Sequence, residues 1–302
     1  VNNKHNKTVV LTGASGFIGT HLKNELLSRD YEVIAISRNP LKYSSINGNV
    51  KWVSWSCIDA ALSQSKTPCA IIHLSTNYGR NNSIYSEVEE VNIKQPKYVF
   101  ELAEKYGIPL FINTDSFFCK EKFNYKYMES YISSKKIFRE IGENLSVNGS
   151  VSFVNMQLEH VYGEGDGHDK FISFITRSLT GKLEKIECTT CEHKRDFIYI
   201  EDVVSAYMTI LEKFNNVEMK ICAKYEVGTG KSYMLKEMIE LIKENVKDFD
   251  GEIIYGAIPL RNDEIMDSTA NNEELKKLGW KPKYELETGV KIMLERDWES
   301  NK

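Results

Sequence analysis

The chain has 302 residues, 41% of them hydrophobic and 27% charged, with a net charge of −4; this composition suits one large α/β domain or a domain with a smaller lobe. The slight acidity gives no reason to expect a nucleic-acid or acidic-membrane partner, and no apolar run approaches the ~18 residues of a membrane span. The start, VNNKHNKTVVLTG, has no signal-peptide apolar core, so a cytoplasmic protein with reduced cysteines is expected.

Apolar runs of strand length occupy 8–12 (TVVLT), 32–36 (EVIAI), 51–55 (KWVSW), 69–74 (CAIIHL), 109–113 (PLFIN) and 150–156 (SVSFVNM). Between them, residues 17–29, 84–106 and 131–146 carry helical periodicity. The alternation predicts an α/β fold of the Rossmann class, a doubly wound parallel sheet with helices on both faces. After about residue 157 the pattern loosens, with helices predicted at 169–181, 201–213, 232–247 and 286–299 and short strands near 197–200, 224–227 and 252–255. We read residues 1–160 as a Rossmann domain built on this sheet and 161–302 as a smaller C-terminal lobe, the chain passing back and forth across that boundary.

The first strand runs into TGASGFIGTHL, with Gly13, Gly16 and Gly19 spaced G-x-x-G-x-x-G. A glycine triplet alone is weak, but this one follows a buried strand and opens an amphipathic helix, as dinucleotide binding requires. Gly13 permits the tight turn, Gly16 lets a pyrophosphate approach the backbone, and Gly19 lets helix and strand pack closely. The expected cofactor site also includes Ser15, Phe17 and Ile18 of this turn and Leu74 at the end of the fourth strand. NAD sites usually place Asp or Glu after the second strand. Here that strand ends on Ser37 and Arg38, and a guanidinium and a hydroxyl welcome a 2′-phosphate, so NADPH is expected.

The fifth strand poses a puzzle. FINTDSFFCK (111–120) carries Asn113, Thr114, Asp115 and Ser116 directly after an apolar run, and buried polar side chains cost free energy unless something uses them. Downstream, YISSK places Tyr131 and Lys135 four residues apart on one helical face. An ammonium beside a phenol is expected to lower the phenol's pKa and make it a proton donor and acceptor at neutral pH. Thr114 then holds a substrate carbonyl against Tyr131, and the polar strand end is one wall of an active site. Tyr78 and Arg80, in the loop after the fourth strand, lie at the sheet's carboxyl edge and are placed to line a substrate pocket. His73 is read as a core histidine, and Cys188, Cys191 and His193 of CTTCEH lack the fourth ligand of a zinc site.

TGASGFIG, IIHLS, NTDS and YISSK, with RDFIYIEDVV (195–204) and LGWKP (278–282), resemble an extended short-chain dehydrogenase/reductase acting on nucleotide sugars, over nearly the whole chain. The resemblance implies a catalytic set of Thr114, Tyr131 and Lys135, with Arg195 gripping the nucleotide diphosphate. It implies the same for Arg261, although Asn262 and Asp263 replace the usual proline and glycine. Asp115, Ser116, His160, Tyr162 and Lys170 fall where relatives contact the sugar or nucleotide. Within the family, FINTDSFF and LEHVYGEGDGHDKF resemble members that use NADPH to reduce a CDP-linked 4-keto-3,6-dideoxyhexose for O-antigen synthesis, either C4 configuration being open.

Members that dehydrate nucleotide hexoses carry Thr-Asp-Glu at this strand end, whereas here Ser116 stands in place of the glutamate. Epimerases recycle a tightly held NAD, which fits Arg38 poorly. A non-catalytic NADP sensor usually loses the tyrosine or lysine, both present here. The resemblance also implies a homodimer formed through helices 84–106 and 131–146, with Val91, Val99, Ile137 and Ile141 as candidate seam residues.

Overall fold

A computed structural model describes residues 7–43, 48–80, 83–214, 219–247 and 249–300; Asn81 and Asn82 of the loop after the fourth strand lie outside them. The main sheet contains β1 (Thr8–Thr12), β2 (Glu32–Ile36), β3 (Val50–Val53), β4 (Ala70–His73), β5 (Leu110–Ser116), β6 (Ser152–Leu158) and a late strand, Cys222–Val227. Their order is Cys222–Val227, β6, β5, β4, β1, β2, β3. The ladders joining β3, β2, β1, β4 and β5 are parallel. Bonds from Phe153 N to Ile221 O and from Glu159 N to Val227 O advance together along both chains, so the last strand is parallel as well. This is the doubly wound order, with its switch point between β1 and β4, the place where such sheets bind ligands beyond their carboxyl ends. Thr12 and His73, the last residues of those two strands, are register partners.

Helices α1 (Phe17–Ser28), α2 (Ile58–Ser63), α3 (Tyr85–Glu89), α4 (Gln95–Tyr106) and α5 (Glu129–Asn148) belong to this part of the chain. The predicted helix at 84–106 is interrupted by a π turn, Glu90–Lys94, between α3 and α4. The core that the sheet and helices share is aromatic: the Phe111 ring lies 5.1, 5.9 and 6.0 Å from Phe100, Phe138 and Phe153. β5 is longer than its apolar run and continues through Asn113–Ser116. Those polar residues stay in the strand because β6 answers them. Asn113 Nδ2 donates to Asn155 Oδ1 (2.7 Å), and Asn155 Nδ2 donates to Asp115 Oδ2 (3.0 Å).

The described residues form two compact units, one drawn from Val1–Lys120, Met128–Gln157 and Val204–Tyr225, the other from Glu121–Tyr127, Leu158–Val203 and Glu226–Lys302. The second contains β7 (His160–Tyr162), α6 (Phe171–Thr180), β8 (Lys185–Glu187), β9 (Lys194–Arg195) and β10 (Phe197–Tyr199). After α7 (Ile200–Phe214) and the late sheet strand, here β11, come β12 (Tyr233–Met234), α8 (Leu235–Asn245), β13 (Glu252–Ile254), β14 (Asp267–Ser268), α9 (Glu273–Lys277) and α10 (Leu286–Ser300). Its strands pair as β7 with β10, β8 with β13, and β9 between β12 and β14. Two buried aspartates organise it. Asp196 accepts N–H groups of Thr229 (2.8 Å), Gly230 (2.9 Å) and Ala270 (3.1 Å). Asp202 accepts those of Lys283 (2.8 Å) and Tyr284 (3.1 Å). The RDFIYIED segment thus anchors three distant loops by charge-assisted bonds.

Candidate active site

The glycine turn has the geometry a dinucleotide needs. Gly13 has φ +66°, and a Cβ there would lie 2.8 Å from Ser75 N. A Cβ on Gly19 would lie 2.1 Å from Gly13 O, so only glycine lets α1 pack on the turn. Gly16 is the N-cap of α1 with no side-chain cap, and Ser15 and Gly16 are exposed. The first N–H groups of the helix, beginning at Phe17 and Ile18, therefore face outward without intrahelical partners, which suits a diphosphate. Leu74 N and Ser75 N both donate to Thr12 Oγ1 at 3.1 Å, tying the β4 end to the β1 end beside this turn. At the end of β2, the Ser37 hydroxyl accepts Asn39 N–H at 3.1 Å. Arg38 is exposed and makes no ion pair among the described residues. The residues present fit a nicotinamide dinucleotide, NAD or NADP.

His73 is buried, and Thr12 Oγ1 lies 2.9 Å from its Nδ1. Because that hydroxyl already accepts two N–H groups, its own proton goes to Nδ1, leaving the histidine neutral with the other nitrogen protonated. Burial, and then the Lys135 charge, hold its pKa well below the ordinary value. The side chain is tied into the sheet.

Tyr131 and Lys135 lie near the start of α5, both buried, at 5% and 3% exposure. Lys135 Nζ donates to Thr114 O at 2.9 Å, and the Ser116 side chain acts on the Tyr131 phenol, favouring its charged form. Thr114 thus meets α5 through its backbone carbonyl, while α5 packs on the opposite face of β5, where Phe111 meets Phe138 and Asp115 faces Arg139. The Tyr78 ring packs 5.1 Å from that of Tyr131, and the Arg80 guanidinium lies 5.6 Å from the Tyr78 ring.

Burial raises the Tyr131 pKa well above its ordinary value, with Tyr78, Cys119 and Asp115 adding and Ser116 opposing. The expected lowering by Lys135 is not found. The ammonium is directed at the Thr114 carbonyl, and burial lowers the lysine's own pKa, against the pull of Asp115 and Cys119.

Several residues that hold this site have no signature in the sequence. Asn92, in the π turn, accepts Asn77 N–H (2.8 Å) and donates to Asn77 O (2.8 Å) and Ser134 Oγ (2.9 Å). It thereby pins the loop carrying Tyr78 to the helix carrying Tyr131; π turns are frequent at functional sites. Tyr207 of α7 places its hydroxyl 2.6 Å from Thr114 Oγ1. Asp115 is on the opposite face of β5 from Thr114. It accepts its neighbour's N–H from Ser116 at 2.7 Å and lies 3.8 Å from Arg139 of α5, so the structure does not bring it to the Thr114 hydroxyl.

In the second unit, Arg195 is buried, donating to Ile265 O (2.5 Å), Lys194 O (2.7 Å) and Glu264 Oε1 (2.6 Å). Arg261 reaches the other oxygen of Glu264 at 3.3 Å, so one carboxylate gathers both arginines. The Arg261 guanidinium lies 3.6 Å from the Tyr127 ring centroid and donates to Tyr125 OH at 3.3 Å. Burial lowers the His160 pKa to about 3, reinforced by Arg195, Lys170 and His193; His160 is a neutral ring edge-on to Phe197. Lys170 precedes α6 as its N-cap. Tyr162 packs on Tyr199 and bonds to Leu286 O at 3.3 Å. Cys188 and Cys191 are buried free thiols, and no cluster of three or more His, Cys, Asp or Glu side chains among the described residues is placed to hold a metal. No helix among them is long and apolar enough to cross a membrane.

Comparison with known proteins agrees with this geometry. Residues 9–228 match the model of the NAD dependent epimerase/dehydratase family. The chain is 43% identical to CDP-abequose synthase of Salmonella typhimurium over 293 residues, covering 95% of this chain and 97% of that protein. It is 42% identical to CDP-abequose synthase of Salmonella muenchen, covering 96% and 97% of the two chains. Among solved structures, UDP-glucose 4-epimerase of Thermotoga maritima with UDP-glucose superimposes with a TM-score of 0.84 at 22% identity, over 98% of this chain and 100% of that one. A family match over well over half of the chain, together with relatives of this identity along almost all of it, decides the matter: the protein belongs to the NAD dependent epimerase/dehydratase family.

Proposed function

We propose that the protein reduces the C4 keto group of CDP-4-dehydro-3,6-dideoxy-D-glucose with NADPH to give CDP-abequose, a cytoplasmic step in O-antigen sugar synthesis. The observation that carries this reading is the buried, protonated Tyr131 beside Ser116 and the Thr114–Lys135 pair, in a chain 43% identical to a CDP-abequose synthase. Bound NADPH supplies a hydride. Tyr131 gives its phenolic proton to the C4 oxygen as charge develops there. A raised pKa keeps that proton in place at neutral pH, which suits an acid, the role a reduction demands. Thr114 donates a hydrogen bond to the same oxygen, keeping its own proton, and stabilises the developing alkoxide. Lys135 holds the Thr114 carbonyl and so fixes the strand end. Arg38 reads the 2′-phosphate, and Arg195 and Arg261 hold the nucleotide diphosphate.

Two residues favour reduction over dehydration. Ser116 stands where a dehydratase has its second acid, and the Asp115 carboxylate is engaged by Asn155 and Arg139. An elimination would lack its base. The working form is a homodimer assembled through the α3–α4 and α5 faces.

The test is incubation with CDP-4-dehydro-3,6-dideoxy-D-glucose and NADPH, following cofactor consumption and identifying the sugar by NMR. NADPH loss with the abequose configuration at C4 is expected. The opposite C4 configuration would make the protein a paratose-forming reductase, and no NADPH consumption would remove the reductase reading.

A further inference from the structure

We propose that Tyr207 is a positioning residue: by donating its phenolic hydrogen to Thr114 Oγ1, it turns the threonine into an obligate hydrogen-bond donor toward the carbonyl oxygen being reduced. This rests on the reductase reading above. Tyr207 is fully buried on α7, 93 residues along the chain from Thr114, and the two hydroxyl oxygens are 2.6 Å apart.

Either hydroxyl could donate across that distance, and the hydrogen-bond inventory decides which. The Tyr207 hydroxyl has no other partner among the described residues. If Thr114 donated, the phenolic proton would be left buried without an acceptor, the costly state for a polar group. Thr114 is partly exposed, so its own proton has somewhere to go when it does not point at Tyr207. The satisfied arrangement therefore has Tyr207 donating inward and Thr114 donating outward. Burial pushes the Tyr207 pKa up, so the phenol keeps its proton throughout the neutral range. A hydroxyl that accepts one bond is polarised into a better donor for the next. Thr114 is then held twice, its carbonyl by Lys135 at 2.9 Å and its hydroxyl by Tyr207.

A double-mutant cycle tests this on the full chain, with Tyr207→Phe, Thr114→Val and the double variant compared with wild type for kcat, KM for NADPH and thermal midpoint. Tyr207→Phe is expected to lower kcat about tenfold, the effect of about 1.4 kcal/mol in a barrier, with KM for NADPH unchanged. In the Thr114→Val background the same substitution should cost no further activity. Stability supplies a reading free of turnover. Thr114→Val strands the Tyr207 proton and should lower the midpoint, and adding Tyr207→Phe should restore it. Equal kcat losses in both backgrounds would reduce Tyr207 to a packing residue and overturn the proposal. So would a Thr114→Val variant as stable as wild type, an outcome readable even if Tyr207→Phe alone fails to fold. A wild-type protein inert toward the keto-sugar and NADPH would instead remove the reductase reading, and this proposal with it.

Discussion

Tyr131 and Lys135 sit one helical turn apart, and burial moves them in opposite directions, the phenol's pKa up and the ammonium's down. Removing the Tyr131 proton alone, by Tyr131→Phe, is expected to lower kcat by roughly 10²–10⁴, the usual effect of a positioned acid, with NADPH binding intact by fluorescence titration. Asp115→Asn should behave differently. It leaves Arg139 without the full charge it faces at 3.8 Å, so melting should show a loss of stability, with a smaller fall in kcat than in Tyr131→Phe. An Asp115→Asn protein as inactive as Tyr131→Phe, yet as stable as wild type, would make Asp115 a proton-transfer group. Arg38→Ala should raise KM for NADPH far more than for NADH, since a charge-assisted phosphate contact contributes about 1.5–3 kcal/mol. Equal losses with both cofactors would take the 2′-phosphate away from Arg38. Asp166 titrates differently from an ordinary aspartate: burial raises its pKa to about 6. A raised folded-state value means the folded chain binds this proton more tightly than the unfolded chain, so stability is lost as pH rises from about 4 through about 6. Asp166→Asn should therefore raise the melting temperature at pH 7 and leave it unchanged near pH 3.5, below the ordinary aspartate pKa.

At the scale of elements, α5 shows how one helix serves both core and chemistry. Its buried positions Tyr131, Lys135, Phe138 and Gly142 fall at i, i+4, i+7 and i+11, a single stripe. The lower part of the stripe packs on the sheet, and the same geometry brings the upper part to the β5 end. Gly142 is where the helix comes closest: a Cβ there would lie 2.4 Å from Phe153 Cε2. Helix propensity favours alanine over glycine by about 1 kcal/mol, but forcing a methyl against a stacked phenylalanine costs about 1–3 kcal/mol. Gly142→Ala is expected to be destabilising in urea unfolding, and a stabilised variant would mean that Phe153 yields readily. The break between α3 and α4 makes the complementary point. Apolar periodicity runs smoothly through 84–106, yet the chain inserts a π turn so that Asn92 can serve Asn77 and Ser134 together.

For the molecule as a whole, the expected dimer seam needs correction. Val99 is fully buried in the intramolecular core, and Ile141 packs against that core from partial exposure. Helical periodicity cannot separate a face turned to the sheet from a face turned to a second copy, and these two belong to the first. Ile137 on α5 and Tyr98 on α4 remain exposed, at 38% and 40%, and they carry the homodimer reading. Light scattering at micromolar concentration should give twice the chain mass, and Ile137→Glu combined with Tyr98→Glu should halve it. A wild-type monomer would remove the dimer.

The sheet class, the glycine turn and the order of strands and helices in the first half were legible in the sequence, because local patterns determine them: runs of buried β-branched residues, a 3.6-residue period, and glycine where only glycine fits. Lys135 could be paired with Tyr131 for the same reason, since four residues on a helix is a distance in space. The second half was less legible. Strands of two or three residues such as β9 and β12 are too short to show a period, and they exist because Arg195 and Asp196 gather partners from remote segments. The extent of β5, the side Asp115 faces, the sharing of Glu264 by two arginines and the bond from Tyr207 to Thr114 were decided by tertiary structure alone. Each depends on which strand or helix lies alongside, and on burial that reverses the pKa shift expected from two neighbouring residues.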